Sequence, residues 1–305
     1  MSFLSSKYTI DLINHTKKRK RIRRRRKNKI SKKKNLNNNY ISKLKNMNTA
    51  SVNKNNLKVC VITQSYYRKD GSSKNHLKNS FDMLGKQTYK NFKLFITGDN
   101  YQPESEFIQL CNSYKGEIYV HNNNHSCREL NLGDINNYWC YGGTHAAYNS
   151  YSKAKAEGYD IAILLDDDDY FFPEYIQSVV DNFTRFPETA FMITKSKYCN
   201  EFLPRTTTTT AIHYNNYIPV PCDSVRSASA HNINLIGDVV LNLWKTLIDE
   251  VAKMNLENKK WDLYPADAKL LGLIGEKVRS GEIKSLYIPT PLVGKPSDRN
   301  MHNIK

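Results

Sequence analysis

Several signatures are missing from this chain, and each absence removes a class of function. No Gly-x-Gly-x-x-Gly follows its first apolar run and no Walker loop occurs, so dinucleotide oxidoreductases and P-loop NTPases lose their anchor. His-Glu-x-x-His and Gly-x-Ser-x-Gly are absent too, which removes zincins and α/β-hydrolases. The six cysteines (Cys60, Cys111, Cys127, Cys140, Cys199 and Cys222) contain no Cys-x-x-Cys pair, and their scatter reads as reduced thiols. His121, His125, Cys127, Cys140 and His145 match no common zinc spacing. No apolar stretch approaches the length of a membrane span and no apolar region of a signal peptide is visible, so a soluble, cytoplasmic protein is expected.

Acidic residues are scarce only at one end. The 305 residues carry a formal charge of +17, yet residues 1–56 hold 18 Lys or Arg against Asp11 alone. The other 249 residues balance 28 basic against 28 acidic side chains. Residues 17–34 carry 14 basic side chains with only Ile22 and Ile30 as large apolar ones, so they cannot bury enough surface to offset ordering entropy. A disordered basic tail is expected there, suited to nonspecific polyanion contact: a nuclear address, a nucleic acid or an anionic surface.

From residue 57 onward the apolar pattern alternates between strand and helix periods. Strands are expected at 57–63, 92–97, 117–121 and 161–165, with helices at 73–86, 105–113, 142–156 and 174–183, Pro173 taking the first helical position. That alternation indicates right-handed βαβ units, hence an α/β fold with a mainly parallel sheet and flanking helices. The second half is less regular: strands at 190–194, 206–210, 225–230 and 285–288, helices at 238–254 and 266–279.

The most informative feature is Ile161-Ala162-Ile163-Leu164-Leu165 running into Asp166-Asp167-Asp168-Asp169. Four adjacent carboxylates repel one another, and at the carboxyl end of a buried strand they form a trap for a cation and a ligand. Strand alternation sends Asp166 and Asp168 one way and Asp167 and Asp169 the other. Hard oxygen ligands suit Mg²⁺ or Mn²⁺. A calcium loop of the EF-hand kind fails, because Phe171 stands where its glycine belongs. An aspartyl-phosphate mechanism stays open, although Tyr170 stands where its Asp-x-Asp-x-Thr motif has threonine.

At these positions the chain resembles the GT-A glycosyltransferases, most closely their inverting family 2. The carrying residues are Thr63 to Arg68 after the first strand (Tyr66 and Arg68 in place), Gln87-Thr88-Tyr89-Lys90-Asn91-Phe92 before the second, and Asp99 at its end. They continue with Ala147-Tyr148-Asn149, where the family has Ala-Arg-Asn, and Leu165-Asp166-Asp167-Asp168-Asp169 followed by Pro173-Glu174. The likeness covers residues 57–180 well and the rest loosely.

It implies a nucleotide-sugar-binding half (57–180) with Thr63, Tyr66, Arg68, Asp99, Asn149 and Asp166 on the donor, and an acceptor-binding half (181–305). It implies Mn²⁺ or Mg²⁺ on Asp168 and Asp166. Asp267, opening a helix, matches the family's base, with Asp262 and Asp238 in reserve; it also reads as a first-turn acid that favours the helix dipole. His302 is a candidate lid residue or metal ligand. No Gln-x-x-Arg-Trp occurs, which points to transfer of single sugars, from a UDP-sugar to an unidentified glycan, protein or small molecule. The competing functions are an Asp-based phosphohydrolase or nucleotidyltransferase and a nucleic-acid-binding protein driven by the basic tail.

Overall fold

Val59–Ser65 forms β1, and six of its seven residues are buried. A strand apolar on both faces belongs in the middle of a parallel sheet, and β1 lies there. It pairs in parallel with β2 (Phe92–Gly98) on one side and β4 (Ile161–Asp166) on the other. β3 (Glu117–Asn122) extends the sheet beyond β2, also parallel, and its half-exposed side chains fit an edge. In this computed structural model, residues 57–129, 141–199, 212–214, 226–257 and 266–296 are described. The basic segment 17–34 and the expected strand 206–210 lie outside them.

The helices α1 (Ser73–Gly85), α2 (Glu104–Asn112) and α3 (Thr144–Ala156) connect these parallel strands. Beyond β4 the direction reverses. β8 (Ser229–Asn232) pairs antiparallel with β4, and β6 (Thr189–Cys199) pairs antiparallel with β8. β9 (Lys284–Pro296) then runs parallel to β6, and the short strands β5 (Tyr170–Phe171) and β7 (Ile212–Tyr214) pair antiparallel with it. The described strands form one sheet in the order β3-β2-β1-β4-β8-β6-β9-β5, so parallel pairing governs the half that ends in Asp99 and the acidic run.

Helices α4 (Tyr175–Arg185), α5 (Ile233–Glu257) and α6 (Ala266–Arg279) complete the flanks. Among the described residues no helix is long and apolar enough to cross a membrane.

The strand expected at 225–230 starts later, at Ser229, because Arg226–Ala228 forms a 3₁₀ turn. Three further elements differ from the sequence expectation for local reasons. Pro173 precedes the Glu174 cap of α4 rather than opening the helix; its carbonyl accepts Thr88 N–H at 2.8 Å. The neighbouring Gln87, fully buried, donates to Phe172 O at 3.1 Å and accepts Ile176 N–H at 3.2 Å. The Gln-Thr pair therefore clamps the end of α1 to the chain leaving the acidic run.

α5 begins five residues before the expected start. Asn232 Oδ1 accepts Asn234 N–H at 3.2 Å to open it, and Gly237 sits inside the helix where it passes Lys155 closely. β9 continues through Pro289 and Pro291 because both fall in a register shift, between Ile288 and Val293, where no regular ladder bond is needed.

Candidate active site at the carboxyl ends of the parallel strands

β1, β2 and β4 end side by side, and backbone hydrogen bonds lock those ends together. Asp99 N–H donates to Ser65 O at 2.7 Å and Asn123 N–H to Gly98 O at 2.9 Å. Buried polar side chains then assign the four carboxylates of the acidic run to two different jobs.

Asp167 and Asp169 point into the protein. Asp167 accepts Ser65 Oγ at 2.6 Å and a two-pronged grip from Arg68, at 2.9 and 2.7 Å. Burial pushes its carboxyl up, but the Arg68 guanidinium and Ser65 hydroxyl more than offset this and hold it below the usual carboxylate range. Arg68 answers in kind: burial disfavours its charge, and Asp167 outweighs that and raises its pKa. Asp169 accepts Ser227 Oγ at 2.5 Å, and the same hydroxyl accepts Asp166 N–H at 2.8 Å. Ser227 thus ties the acidic run to the 3₁₀ turn Arg226–Ala228 that leads into β8.

Asp166 and Asp168 remain half-buried. The Asp168 side chain is 37% exposed against 5% for Asp167, so the alternation expected from the strand survives the turn that ends it. Gln64 Nε2 donates to Asp166 Oδ1, and Arg68 NH2 stands 3.8 Å from Asp168 Oδ2. One pair of carboxylates is buried in the fold and the other stands half-buried at the carboxyl end of β4.

Asp99 is buried and collects a separate set of contacts. Its Oδ2 accepts Ser126 Oγ at 2.6 Å and Gly143 N–H at 3.1 Å, and Arg128 Nε lies 3.4 Å away. Arg128, in the 3₁₀ turn Cys127–Glu129, also packs its guanidinium 3.7 Å from the Tyr66 ring centre, with Arg68 at 4.2 Å from that ring. A chain of contacts therefore runs from Asp99 through Arg128 and Tyr66 to Arg68 and the acidic run. A second route runs through Gly143 and Gln64 to Asp166.

Gly143 caps α3 with φ +75°, and a Cβ there would lie 2.6 Å from Gln64 Cγ. Gly158 has φ +74° with nothing within 4 Å of such a Cβ. Gly158→Ala is therefore expected to lose only the left-handed cost of about 1 kcal/mol. Gly143→Ala adds a clash and should lose about 1–3 kcal/mol more. Urea denaturation of the two variants checks this, and equal losses would refute the close packing of Gly143 on Gln64.

The remaining predicted residues are placed as follows. Thr63 is buried within β1, and its hydroxyl finds no hydrogen-bond partner among the described residues. Asn149 on α3 donates to Asn123 Oδ1 at 2.7 Å, on the chain leaving β3. Asp267 is half-buried in the first turn of α6 and accepts Ala268 N–H at 2.8 Å. Two residues on, Lys269 Nζ donates to Tyr141 OH at 3.0 Å, and Tyr141 immediately precedes Gly142-Gly143; α6 is thereby moored to the segment that closes on Asp99.

Asp238 does not join this group. It pairs with Lys155 in the last turn of α3, roughly 16 Å along the helix from Thr144. Asp262, His302 and Cys140 lie outside the described residues. His125 and His145 face each other with ring centres 5.3 Å apart, but no metal-holding group of three His, Cys, Asp or Glu exists among the described residues.

Arg128, Ser126, Gln64, Gly143 and Ser227 were not singled out as functional by the sequence. Gly142-Gly143 ahead of a helix marked a backbone needing special conformation. Ser126, Arg128 and Ser227 lie in polar stretches with no periodicity to flag them.

No known family's sequence profile matches this chain. It is 26% identical over 187 residues to an uncharacterized glycosyltransferase, R139, of Acanthamoeba polyphaga mimivirus; the alignment spans 59% of this chain and 75% of that protein. The crystal structure of S. aureus TarS 1–349 in complex with UDP superposes with TM-score 0.50 at 13% identity, over 79% of this chain and 61% of that one. The shared α/β architecture, with its mainly parallel sheet and flanking helices, is the one expected from the sequence. The chain thus has a GT-A-like α/β fold and is similar in sequence to a glycosyltransferase.

Proposed function

We propose that the chain transfers a single sugar from a nucleotide-diphosphate sugar, a UDP-sugar, to an acceptor hydroxyl, in a divalent-metal-dependent reaction that inverts the anomeric centre. One observation carries this reading: of four adjacent carboxylates, the two that stay half-buried, Asp166 and Asp168, stand at the end of β4, while Asp99 and Tyr66 stand at the ends of β2 and β1. Crevices at the carboxyl ends of parallel strands are where α/β sheets bind ligands, and TarS, of similar fold, was crystallised with UDP.

The residues fit a hard cation. Two half-buried carboxylates, with no group of three His, Cys, Asp or Glu among the described residues, suit Mg²⁺ or Mn²⁺, which take one or two carboxylates and complete their shell with phosphates and water. Asp168 and Asp166 would hold it, and when bound it supplies positive charge to the departing diphosphate.

The protein's own residues do the rest. Tyr66 offers a ring for the base, Asp99 an acceptor oxygen, and Asn149 a further polar contact. Gln64 and Arg68 keep Asp166 and Asp168 oriented. Asp267 at the start of α6 takes the acceptor's proton as that oxygen bonds to the anomeric carbon and the sugar–phosphate bond breaks on the opposite face. Residues 181–305 supply the acceptor site.

Thermal denaturation with nucleoside diphosphates and their sugars, with and without Mn²⁺, tests the proposal. A ligand near 100 times its Kd adds about 2.7 kcal/mol of stability, roughly 5–10 °C for a domain of this size. The expected result is a Mn²⁺-dependent shift with one nucleotide class. No shift with any nucleotide, with or without metal, would sink it. Phosphate release from a nucleotide sugar with no sugar transferred would instead support the phosphohydrolase reading.

A further inference from the structure

The opposite end of the parallel sheet carries a second concavity. Where β2 and β3 begin and α1 and α2 end, a cleft of about 430 Å³ opens, a size usual for small-ligand sites. It lies roughly 20 Å, the length of β2, from the end that carries Asp99. Phe81, Leu84 and Phe92, all buried, form its floor with the half-buried Tyr114. Tyr114 packs on Phe81 with ring centres 5.2 Å apart and planes tilted by 43°. A Cβ on Gly116 would stand 2.7 Å from the Tyr114 hydroxyl and 2.8 Å from its ring, so glycine there makes room for that ring.

The rim is polar and electrically balanced. Asp82 and Glu117 stand on it with Lys90 and Lys115, joined by Asn91 and Ser113, and all six are exposed. Lys90 Nζ already donates to Gly85 O at 2.5 Å, at the end of α1. An anion would meet two carboxylates and the negative ends of two helices. A cation would meet two lysines. Neither sign is favoured. Carboxylates only accept hydrogen bonds, ammonium groups only donate, and Asn91 and Ser113 do both. The ligand that satisfies such a set is neutral and rich in hydroxyls, with an apolar side for the floor. The tilt between Phe81 and Tyr114 leaves no parallel slot between them for a flat aromatic ring.

We infer that this cleft is a noncatalytic saccharide site, which takes a sugar ring with its C–H face on the aromatic floor and its hydroxyls on the rim. Its use as a second hold on a glycan acceptor rests on the transferase reading above; the binding itself does not. Two weak holds on one chain act together through effective concentration, so a long glycan gains affinity that a single sugar does not.

Saturation-transfer NMR and calorimetric titration of the full chain with neutral hexasaccharides of glucose, xylose, mannose and N-acetylglucosamine test the assignment. Spermidine and inorganic phosphate serve as charged controls. At least one hexasaccharide is expected to bind without Mn²⁺ or nucleotide, and neither control is. Ser113→Trp, which sets a bulky ring on the rim, should weaken that hexasaccharide at least about tenfold. Asp82→Ala combined with Glu117→Ala should cost a similar factor, about tenfold, the worth of hydrogen bonds to charged groups. The three positions are exposed, so these variants should fold as wild type does, which circular dichroism checks. Asp168→Ala, at the other end of the sheet, should leave the affinity within about threefold.

Three results overturn the inference. If no hexasaccharide binds, the cleft is not a saccharide site. If spermidine or phosphate binds and Ser113→Trp blocks it, the cleft takes a charged ligand. If both cleft variants bind the hexasaccharide as wild type does, the glycan sits elsewhere. None of the three touches the transferase reading, which stands or falls on the Mn²⁺-dependent nucleotide shift.

Discussion

Asp168→Ala is expected to lower kcat/KM for sugar transfer by roughly 10³-fold or more, a loss of about 4 kcal/mol of transition-state stabilisation. It should also abolish Mn²⁺-dependent binding of the nucleotide. Thermal stability should stay within about 0.5 kcal/mol of wild type, because the side chain is 37% exposed. The effect falls on activity because diphosphate departure concentrates negative charge that the missing ligand no longer helps to neutralise.

Asp167→Ala makes the informative contrast. Its carboxylate is buried and consumed by Ser65 and Arg68, so the loss should appear first as reduced stability. Steady-state kinetics paired with denaturation curves for both variants separate the two roles. If Asp168→Ala turns over donor at the wild-type rate, the presented pair of carboxylates is not the metal grip.

The division of labour within the acidic run was legible from the sequence because a strand's period of two is a local rule. Asp166 and Asp168 on one side, Asp167 and Asp169 on the other, follows from counting, and the burial pattern agrees even though the strand ends at Asp166. The parallel half was legible for the same reason: β1, β2 and β4 are short apolar runs with helical periods between them. What could not be read was anything set by partners distant in sequence. β5 is two residues long and exists because β9 offers Val293 and Gly294 to pair with, while β9 itself looked broken by prolines that a bulge accommodates.

The same holds for the site. Tyr66 and Asp99 follow strands and were marked by position. Ser227 reaches Asp169 across 58 residues and Arg128 reaches Tyr66 across a polar loop, and no local pattern announces either contact. Arg68 illustrates the limit from the other direction. Its place in the resemblance suggested a donor contact, and the structure shows both its terminal nitrogens hydrogen-bonded to Asp167.

Arg68→Ala is therefore expected to act on stability as well as on the donor site, with a cost of about 3–5 kcal/mol at neutral pH from an uncompensated buried carboxylate. The sign of its pH dependence is the decisive readout. In wild type the folded pKa of Asp167 is depressed, so its contribution is full above the unfolded value near 3.9 and is lost as pH falls through the lower folded value. Without Arg68 the largest remaining influence on Asp167 is burial, which raises the folded pKa above the unfolded one. The folded variant then binds the extra proton, and its stability falls as pH rises above about 4. The deficit relative to wild type should accordingly be small near pH 4 and large at pH 7.5. Adding Asp167→Asn to Arg68→Ala removes the stranded charge and should recover much of the loss, giving a strong coupling in the double-mutant cycle. A deficit of constant size from pH 4 to 7.5, with no recovery in the double variant, would mean that Arg68 stabilises the fold through the packing of its stem and not through the charge of Asp167.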